Sequence, residues 1–174
     1  MWLKERPKDW IERPLQDEKV LVWCGISANR IYGPYFFETT VNQHTYLEML
    51  QTFFWKKHLD TVDYKRYYFQ QDGATAHTAD RVQQWLTSKF GERFVDKNHW
   101  PPRSHDLNPC DFYLWGYLKS RVYRSIPKSV SELKANIARE IKNISKNDLK
   151  NVFENFYKRC SLVITAEGGH FENK

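Results

Sequence analysis

Two apolar runs near the start of the chain predict a pair of β-strands. Residues 19–27 (KVLVWCGIS) are almost continuously apolar, as expected of a strand that is buried on both faces. Residues 31–39 (IYGPYFFET) form a second apolar run, in which Gly33 and Pro34 indicate a bend or a bulge. Because the residues between the two runs are turn-like, we predict that the strands form a β-hairpin.

The next segment has the periodicity of a helix. Apolar residues within positions 42–59 recur at i, i+3, i+4 and i+7, which predicts a helix with one buried face. These residues are Tyr46, Met49, Leu50 and Phe53. Asn42 is placed to cap the N-terminus of this helix with its side chain.

Shorter apolar runs and capping signals predict the remaining elements. Strands are predicted at 66–71 and 93–97, and helices at 78–91, 110–123, 129–144 and 146–160. Gly91 is suited to end a helix, and residues 129–132 carry a capping-box pattern. Residues 1–18 are polar and broken by prolines, which predicts an irregular lead-in, and three prolines within 99–109 predict a loop. Strands followed by helices indicate an α/β domain over residues 19–174, with helices flanking a mixed sheet.

Charge and composition narrow the range of partners. Lys and Arg number 27 against 21 Asp and Glu, so the net charge of +6 and the isoelectric point near 9.2 favour an anionic partner such as nucleic acid. With a mean hydropathy of −0.74 and no long apolar run, we expect no membrane partner. Three cysteines without a CxxC motif argue against a disulfide framework or a zinc site, and favour a reducing compartment.

An aspartate stands where the predicted strand 66–71 ends. Ligands of α/β sheets gather at the carboxyl ends of strands, so Asp72 is a candidate ligand residue. The small residues Gly73 and Ala74 leave room beside it for a metal ion or a bulky anion. The other interpretation is that Asp72 only opens an Asp-Gly turn.

A second aspartate lies at the start of the predicted helix 110–123. Asn108 can cap this helix and Pro109 can be its first residue, which puts Asp111 at the third helical position. A carboxylate there stabilises the helix terminus. Asp111 also shares one helix face with three apolar residues, Trp115, Leu118 and Val122. A carboxylate at the rim of a core costs desolvation unless it meets a cation or donors, so metal binding and capping are both open interpretations.

The two carboxylates have the chemistry to share a divalent cation. Mg²⁺ prefers oxygen ligands and keeps several waters, so it needs few protein groups. Two such ions about 3.5–4 Å apart can stabilise the attacking and leaving oxygens of a phosphodiester. Holding both ions firmly takes more carboxylates than Asp72 and Asp111 supply.

Several motifs, in order along the chain, resemble the catalytic domain of mariner-type transposases. They are VWCGIS, GPYFFE, YYFQQDGATAHTA, WPPRSHDLNPCDFYLWGYLKSRVY and GGHFEN. The resemblance runs from about Trp2 to the end of the chain. It implies the RNase H-like fold of the DDE/DDD class, a mixed sheet flanked by helices with further helices at the C-terminus.

The resemblance also implies a reaction and its residues. Transposases of this family use three acidic residues to hold Mg²⁺ or Mn²⁺, cleave DNA at the element ends with an activated water, and join the 3′-hydroxyl to target DNA. Asp72 matches the second acidic residue and Asp111 the third, with 38 residues between them. Asp106 is a rival for the third position, but the motif favours Asp111. The resemblance implies two kinds of partner: the DNA of the element ends and the target, and a second copy of the chain. It also implies a nuclear location and no small-molecule cofactor.

The first acidic residue of the family has no match in this chain. In the family it lies on the first, central strand of the sheet, just ahead of the segment that VWCGIS resembles. We therefore expect a truncated domain that lacks this strand, binds metal weakly and does not cut DNA by itself. The alternative is a catalytically inactive descendant that binds DNA or another protein.

Five residues are candidate DNA contacts. His77 could approach a phosphate or the metal, although a role at the helix entry is the simpler interpretation. Arg103, in the proline-rich loop, has the geometry for a phosphate contact. Lys119, Arg121 and Arg124 could begin a basic track that continues along the C-terminal helices. A solvated helix face would explain these three cations equally well.

Overall fold

A computed structural model describes residues 19–59, 64–101 and 104–167. Its strands are β1 (Leu21–Ile26), β2 (Ile31–Phe37), β3 (Phe69–Gln70) and β4 (Phe94–Val95). Its α-helices are α1 (Gln43–Met49), α2 (Thr75–Thr78), α3 (Asp80–Phe90), α4 (Trp115–Val122), α5 (Val130–Asn143) and α6 (Lys146–Thr165). No helix in these ranges is both long enough and apolar enough to span a bilayer.

The mixed α/β class is confirmed, but the described strands form two small sheets and not one. β1 pairs with β2 in an antiparallel hairpin, as predicted, and β3 pairs with β4 in parallel. The strand predicted at 66–71 is shortened to Phe69–Gln70, because a 3₁₀ turn occupies Tyr64–Arg66. The complete RNase H-like sheet therefore stays a prediction.

A bulge in β2 decides which side chains face each layer. Trp23 pairs with Tyr35 but Gly25 pairs with Tyr32, so Gly33 and Pro34 together lie opposite a single residue of β1. The extra residue reverses the alternation of side chains along β2. Tyr32 and Tyr35 consequently face the same side, although they are three positions apart.

The hairpin lies between two apolar clusters. On one face, the first cluster is built from α1, the segment after it, and α3, with Trp23, Tyr32 and Tyr35 packed against it. On the other face, the second cluster joins α4, α5 and the start of α6, and contacts Val22 and Cys24. Neighbouring residues of β1 point to opposite clusters, so both faces of this strand contact apolar side chains. This explains why its sequence is almost continuously apolar.

The helix predicted at 42–59 begins as expected and then changes its pitch. The Asn42 side chain accepts hydrogen bonds from the backbone N–H groups of His44 and Thr45, which confirms the cap. From Leu50 to Leu59 the helix is π-helical, with i→i+5 hydrogen bonds. The wider turn buries Phe54, and the predicted core residue Phe53 is only half-buried.

The later helices agree with their predicted capping signals. The N–H of Glu132 donates to the Ser129 hydroxyl at the start of α5. The Glu132 carboxylate accepts a hydrogen bond from the backbone N–H of Lys128, whereas a capping box would use the N–H of Ser129. Gly91 ends α3 with a φ of +58°, and α6 continues five residues beyond the predicted end at 160.

Candidate functional site

Asp72 lies just beyond the end of β3, and one of its oxygens is held by protein donors. Its Oδ1 accepts from the backbone N–H of Ala74 at 3.1 Å and from Nδ1 of His77 at 2.5 Å. The hydrogen bond from His77 is the main reason why the pKa of Asp72 lies below its usual value. The contact with Ala74 is the turn that the sequence predicted, but it involves Oδ1 alone.

Asp111 is held in a similar way at the start of the helical segment 110–122. The Asn108 Oδ1 accepts from the backbone N–H of Cys110 at 3.1 Å, and Pro109 already has helical dihedral angles, which agrees with the predicted capping. Oδ2 of Asp111 accepts from Nδ2 of Asn108 at 2.9 Å and lies 3.3 Å from Nδ1 of His105. The Asp111 side chain is 26% exposed.

The structure brings the surroundings of the two aspartates together. Nε2 of Gln70, in β3, donates to the carbonyl oxygen of Leu107 at 2.9 Å, which ties the strand to the loop before Asp111. Burial raises the pKa of the Cys110 thiol to about 12, and the negative charges of Asp111 and Asp72 both add to this increase. The hydrogen bond between Gln70 and Leu107 therefore places the strand before Asp72 against the loop before Asp111, although 38 residues separate the two aspartates.

Each carboxylate keeps one oxygen without a hydrogen-bond partner among the described residues. On Asp72 this atom is Oδ2, and on Asp111 it is Oδ1. Free carboxylate oxygens suit a hard cation such as Mg²⁺, which needs few protein ligands. Within the described ranges no three His, Cys, Asp or Glu side chains converge as a metal site, so the protein would supply two carboxylates here. Metal binding and catalysis by Asp72 and Asp111 stay predictions.

The other predicted residues differ in their relation to this pair. His77 contacts Asp72 directly, and Asp106 lies in the loop, where its carbonyl oxygen accepts from Arg159 at 3.3 Å. Arg103 is outside the described residues. Three cations are exposed along α4 and the turn that follows it: Lys119, Arg121 and Arg124. A basic track and a solvated face both remain compatible with these positions.

The sequence analysis identified Asn108 as the helix cap but not as a partner of Asp111, and it did not connect His105 with Asp111. His105 and Asn108 precede Asp111 by six and three residues, and a polar residue three positions ahead is a capping signal that could have identified Asn108 as its partner. Tyr46, which stacks against His77, was predicted only as a core residue. No local signal connects Tyr46 with a residue 31 positions away.

Three curated relatives are similar to this chain. The Tc3 transposase of Caenorhabditis elegans is 28% identical over 169 residues, which cover 95% of this chain and 49% of the relative. The Tcb2 transposase of Caenorhabditis briggsae is 26% identical over 91% of this chain and 62% of its own length. The Tcb1 transposase of the same organism is 31% identical over 100 residues, 58% of this chain and 35% of the relative. The chain thus spans between about a third and three fifths of the length of these relatives, and no protein-family model matches it.

Proposed function

From the homology of most of this chain to Tc1/mariner-type transposases, we propose that it forms part of the catalytic domain of a DNA transposase. Its ancestral reaction is divalent-metal-dependent cleavage of DNA strands at element ends and their transfer to target DNA. The observation that carries the proposal is the hydrogen bond from Gln70 to Leu107, which places the strand before Asp72 against the loop before Asp111. Among the described residues, one oxygen of each carboxylate has no hydrogen-bond partner. DNA and a second copy of the chain are the proposed partners, and the nucleus is the proposed location.

The proposed metal ligands are Oδ2 of Asp72 and Oδ1 of Asp111. A bound Mg²⁺ or Mn²⁺ would activate water and stabilise the oxygens of the phosphodiester. The chain's own contribution is to hold both carboxylates: Ala74 and His77 fix Asp72, and Asn108 fixes Asp111. A carboxylate that is oriented in advance loses less conformational entropy when it binds a cation.

We also propose that the described strands belong to one RNase H-like sheet. Within the described residues each of β1 and β3 has one paired edge, because the strand orders are β1-β2 and β3-β4. We propose that a strand inserted between β1 and β3 joins the two small sheets and carries a third carboxylate. Unpaired backbone groups on such edges are costly when buried, which favours a strand there.

A second candidate function is DNA binding without cleavage. It is favoured by the acidic site itself, since no third His, Cys, Asp or Glu joins the pair in the described part of the chain. The net charge of +6 suits either function, because it favours contact with phosphates.

Mn²⁺ binding tests the proposed site directly. Mn²⁺ is titrated into the full chain and the free ion is measured by electron paramagnetic resonance. We expect weak binding that Asp72→Asn and Asp111→Asn each reduce about tenfold or more. Asp80→Asn is the matched control, because Asp80 is an exposed aspartate whose partner is Lys97. Equal affinity in all three variants would refute the proposed site.

A DNA cleavage assay tests whether the two described carboxylates suffice for catalysis. DNA carrying element ends is incubated with the full chain and Mn²⁺, and binding is followed by fluorescence anisotropy. We expect binding that weakens steeply with salt, but no strand cleavage by this chain alone. Cleavage that disappears in Asp72→Asn would show that the two carboxylates suffice, and would contradict the need for a third.

A further inference from the structure

His77 makes two contacts that together hold Asp72. Its Nδ1 lies 2.5 Å from Oδ1 of Asp72, so a proton on Nδ1 is donated to the carboxylate. Its ring stacks on the ring of Tyr46, with centroids 4.3 Å apart and planes inclined by 32°. The imidazole is 19% exposed, so packing restricts its rotation.

The ring beneath His77 is itself immobilised. Tyr46 is 1% exposed and belongs to the first apolar cluster. Its hydroxyl donates to Oε1 of Gln71 at 2.9 Å. Since Gln71 directly precedes Asp72, helix α1 supports both the histidine and the backbone that carries the aspartate.

The backbone of His77 is held from two further directions. Nε2 of Gln71 and Nε2 of Gln83 each donate to the carbonyl oxygen of His77 at 2.9 Å. Gln83 lies on α3 and Gln71 directly follows β3, so helices α1 and α3 and the segment after β3 all contact this one residue. A side chain fixed at its ring and at its backbone can direct a bonded partner within a narrow range of angles.

We propose that His77 is a positioning residue, whose Nδ1–H holds Oδ1 of Asp72 and thereby directs Oδ2 toward the divalent cation. This inference rests on the proposed function. The hydrogen bond occupies one oxygen, the Tyr46 ring fixes its direction, and the second oxygen stays available. Outer ligands of this kind commonly change metal affinity by about 10- to 100-fold.

The histidine on the other carboxylate is held far less firmly. His105 is 76% exposed and its Nδ1 lies 3.3 Å from Oδ2 of Asp111, where the Asn108 amide also donates. The two sides of the site therefore differ, and the rigid support belongs to Asp72.

Two substitutions separate the hydrogen bond from the ring. His77→Phe keeps a ring on Tyr46 but removes the donor. His77→Asn removes the ring but places an amide N–H near the position of Nδ1. We expect His77→Phe to weaken Mn²⁺ binding about tenfold or more, and His77→Asn, which keeps a donor but loses the contact with Tyr46, to weaken it clearly less. The measurement is the same Mn²⁺ titration of the full chain, with circular dichroism to confirm folding.

A second His–Asp pair provides the matched control. His99 contacts Asp96 through Nδ1 at 2.8 Å, is 77% exposed, and makes no hydrogen bond with Asp72 or Asp111 among the described residues. His99→Phe should leave Mn²⁺ affinity unchanged. Nitrogen-15 NMR supplies a readout independent of metal, in which His77 should carry its ring proton on Nδ1 and lose this preference in Asp72→Ala.

Three results would contradict the positioning role of His77. Unchanged or tighter Mn²⁺ binding in His77→Phe overturns the positioning role, as does equal weakening in His77→Phe and His77→Asn. A His77 ring that carries its proton on Nε2 and none on Nδ1 in the metal-free chain also overturns it. If Asp72→Asn leaves Mn²⁺ binding unchanged, the proposed metal site itself fails, which is a different result from failure of His77 alone.

Discussion

Replacing Gly33 with alanine should destabilise the β1–β2 hairpin at its bulge. Gly33 has a φ of +120°, a conformation that residues with a side chain rarely adopt. A Cβ at this position would lie 2.9 Å from the carbonyl oxygen of Trp23 and 3.4 Å from Sγ of Cys24. Because the nearest atom belongs to the backbone of the paired strand, it cannot move aside without disturbing the pairing.

The expected loss follows from these two effects. A residue held in a rarely populated backbone region costs about 1–3 kcal/mol. Displacing the Trp23 carbonyl adds a cost of about 1 kcal/mol, typical of overpacking. We therefore expect Gly33→Ala to lower the free energy of unfolding by about 2–4 kcal/mol, and the melting temperature by about 5–15 °C for a chain of this size.

Urea denaturation followed by circular dichroism measures the change. Gly116→Ala is the matched control, because a Cβ at Gly116 meets no atom within 4 Å and the residue lies inside α4. It should stabilise the chain by about 0.5–1 kcal/mol through its higher helix propensity. An unfolding midpoint for Gly33→Ala equal to that of the original chain would refute the account of the bulge.

Three further predictions address the core, the thiols and the effect of pH. Leu114→Ala should lower the free energy of unfolding by about 2–5 kcal/mol, because Leu114 is fully buried. Leu162→Ala, at a residue that is 49% exposed, should lower it by less than about 0.5 kcal/mol. Similar losses in urea denaturation would contradict the described core. Iodoacetamide at pH 8 should modify Cys160 before Cys110. Burial raises the pKa of the Cys110 thiol to about 12, which leaves only about one thiol in 10⁴ ionised at this pH. Equal rates of alkylation of the two cysteines, measured by mass spectrometry, would refute this. The hydrogen bond from His77 is the main reason why the pKa of Asp72 is lowered in the folded chain. The charged form of Asp72 therefore stabilises the fold at pH values above the unfolded pKa of about 3.9. This contribution is lost as the pH falls from that value through the lower pKa of the folded chain. The difference in unfolding free energy between Asp72→Ala and the original chain should therefore shrink between about pH 5 and pH 3, and a constant difference would contradict the assignment.

Local features of the fold could be predicted because their causes lie within a few residues. The hairpin follows from two apolar runs with a turn between them, and the bulge from Gly33 and Pro34. The cap at Asn42 follows from a side chain that reaches backbone N–H groups two and three residues ahead. The strand at 66–71 was overestimated, since a 3₁₀ turn competes for its first residue.

The candidate site was predictable only in part. Asp72 and Asp111 stood out because one follows a strand and the other begins a helix, positions where carboxylates commonly bind ligands or cap. Although the donors lie within six residues, which oxygen of each carboxylate accepts their hydrogen bonds could not be predicted, because nothing in the sequence tells which oxygen they face. The proximity of the two segments could not be predicted for a different reason. The hydrogen bond between Gln70 and Leu107 spans 37 residues, and no periodicity in the sequence encodes it.

By itself, the sequence determined the secondary elements, their caps, the basic charge and the likeness to transposases, since these depend on residue type and short spacing. Only the tertiary structure decided that Tyr46 supports His77 and that the strand before Asp72 lies against the loop before Asp111. The physical reason is that contacts between distant segments form when apolar faces pack together, and this packing depends on the whole chain and not on any one segment.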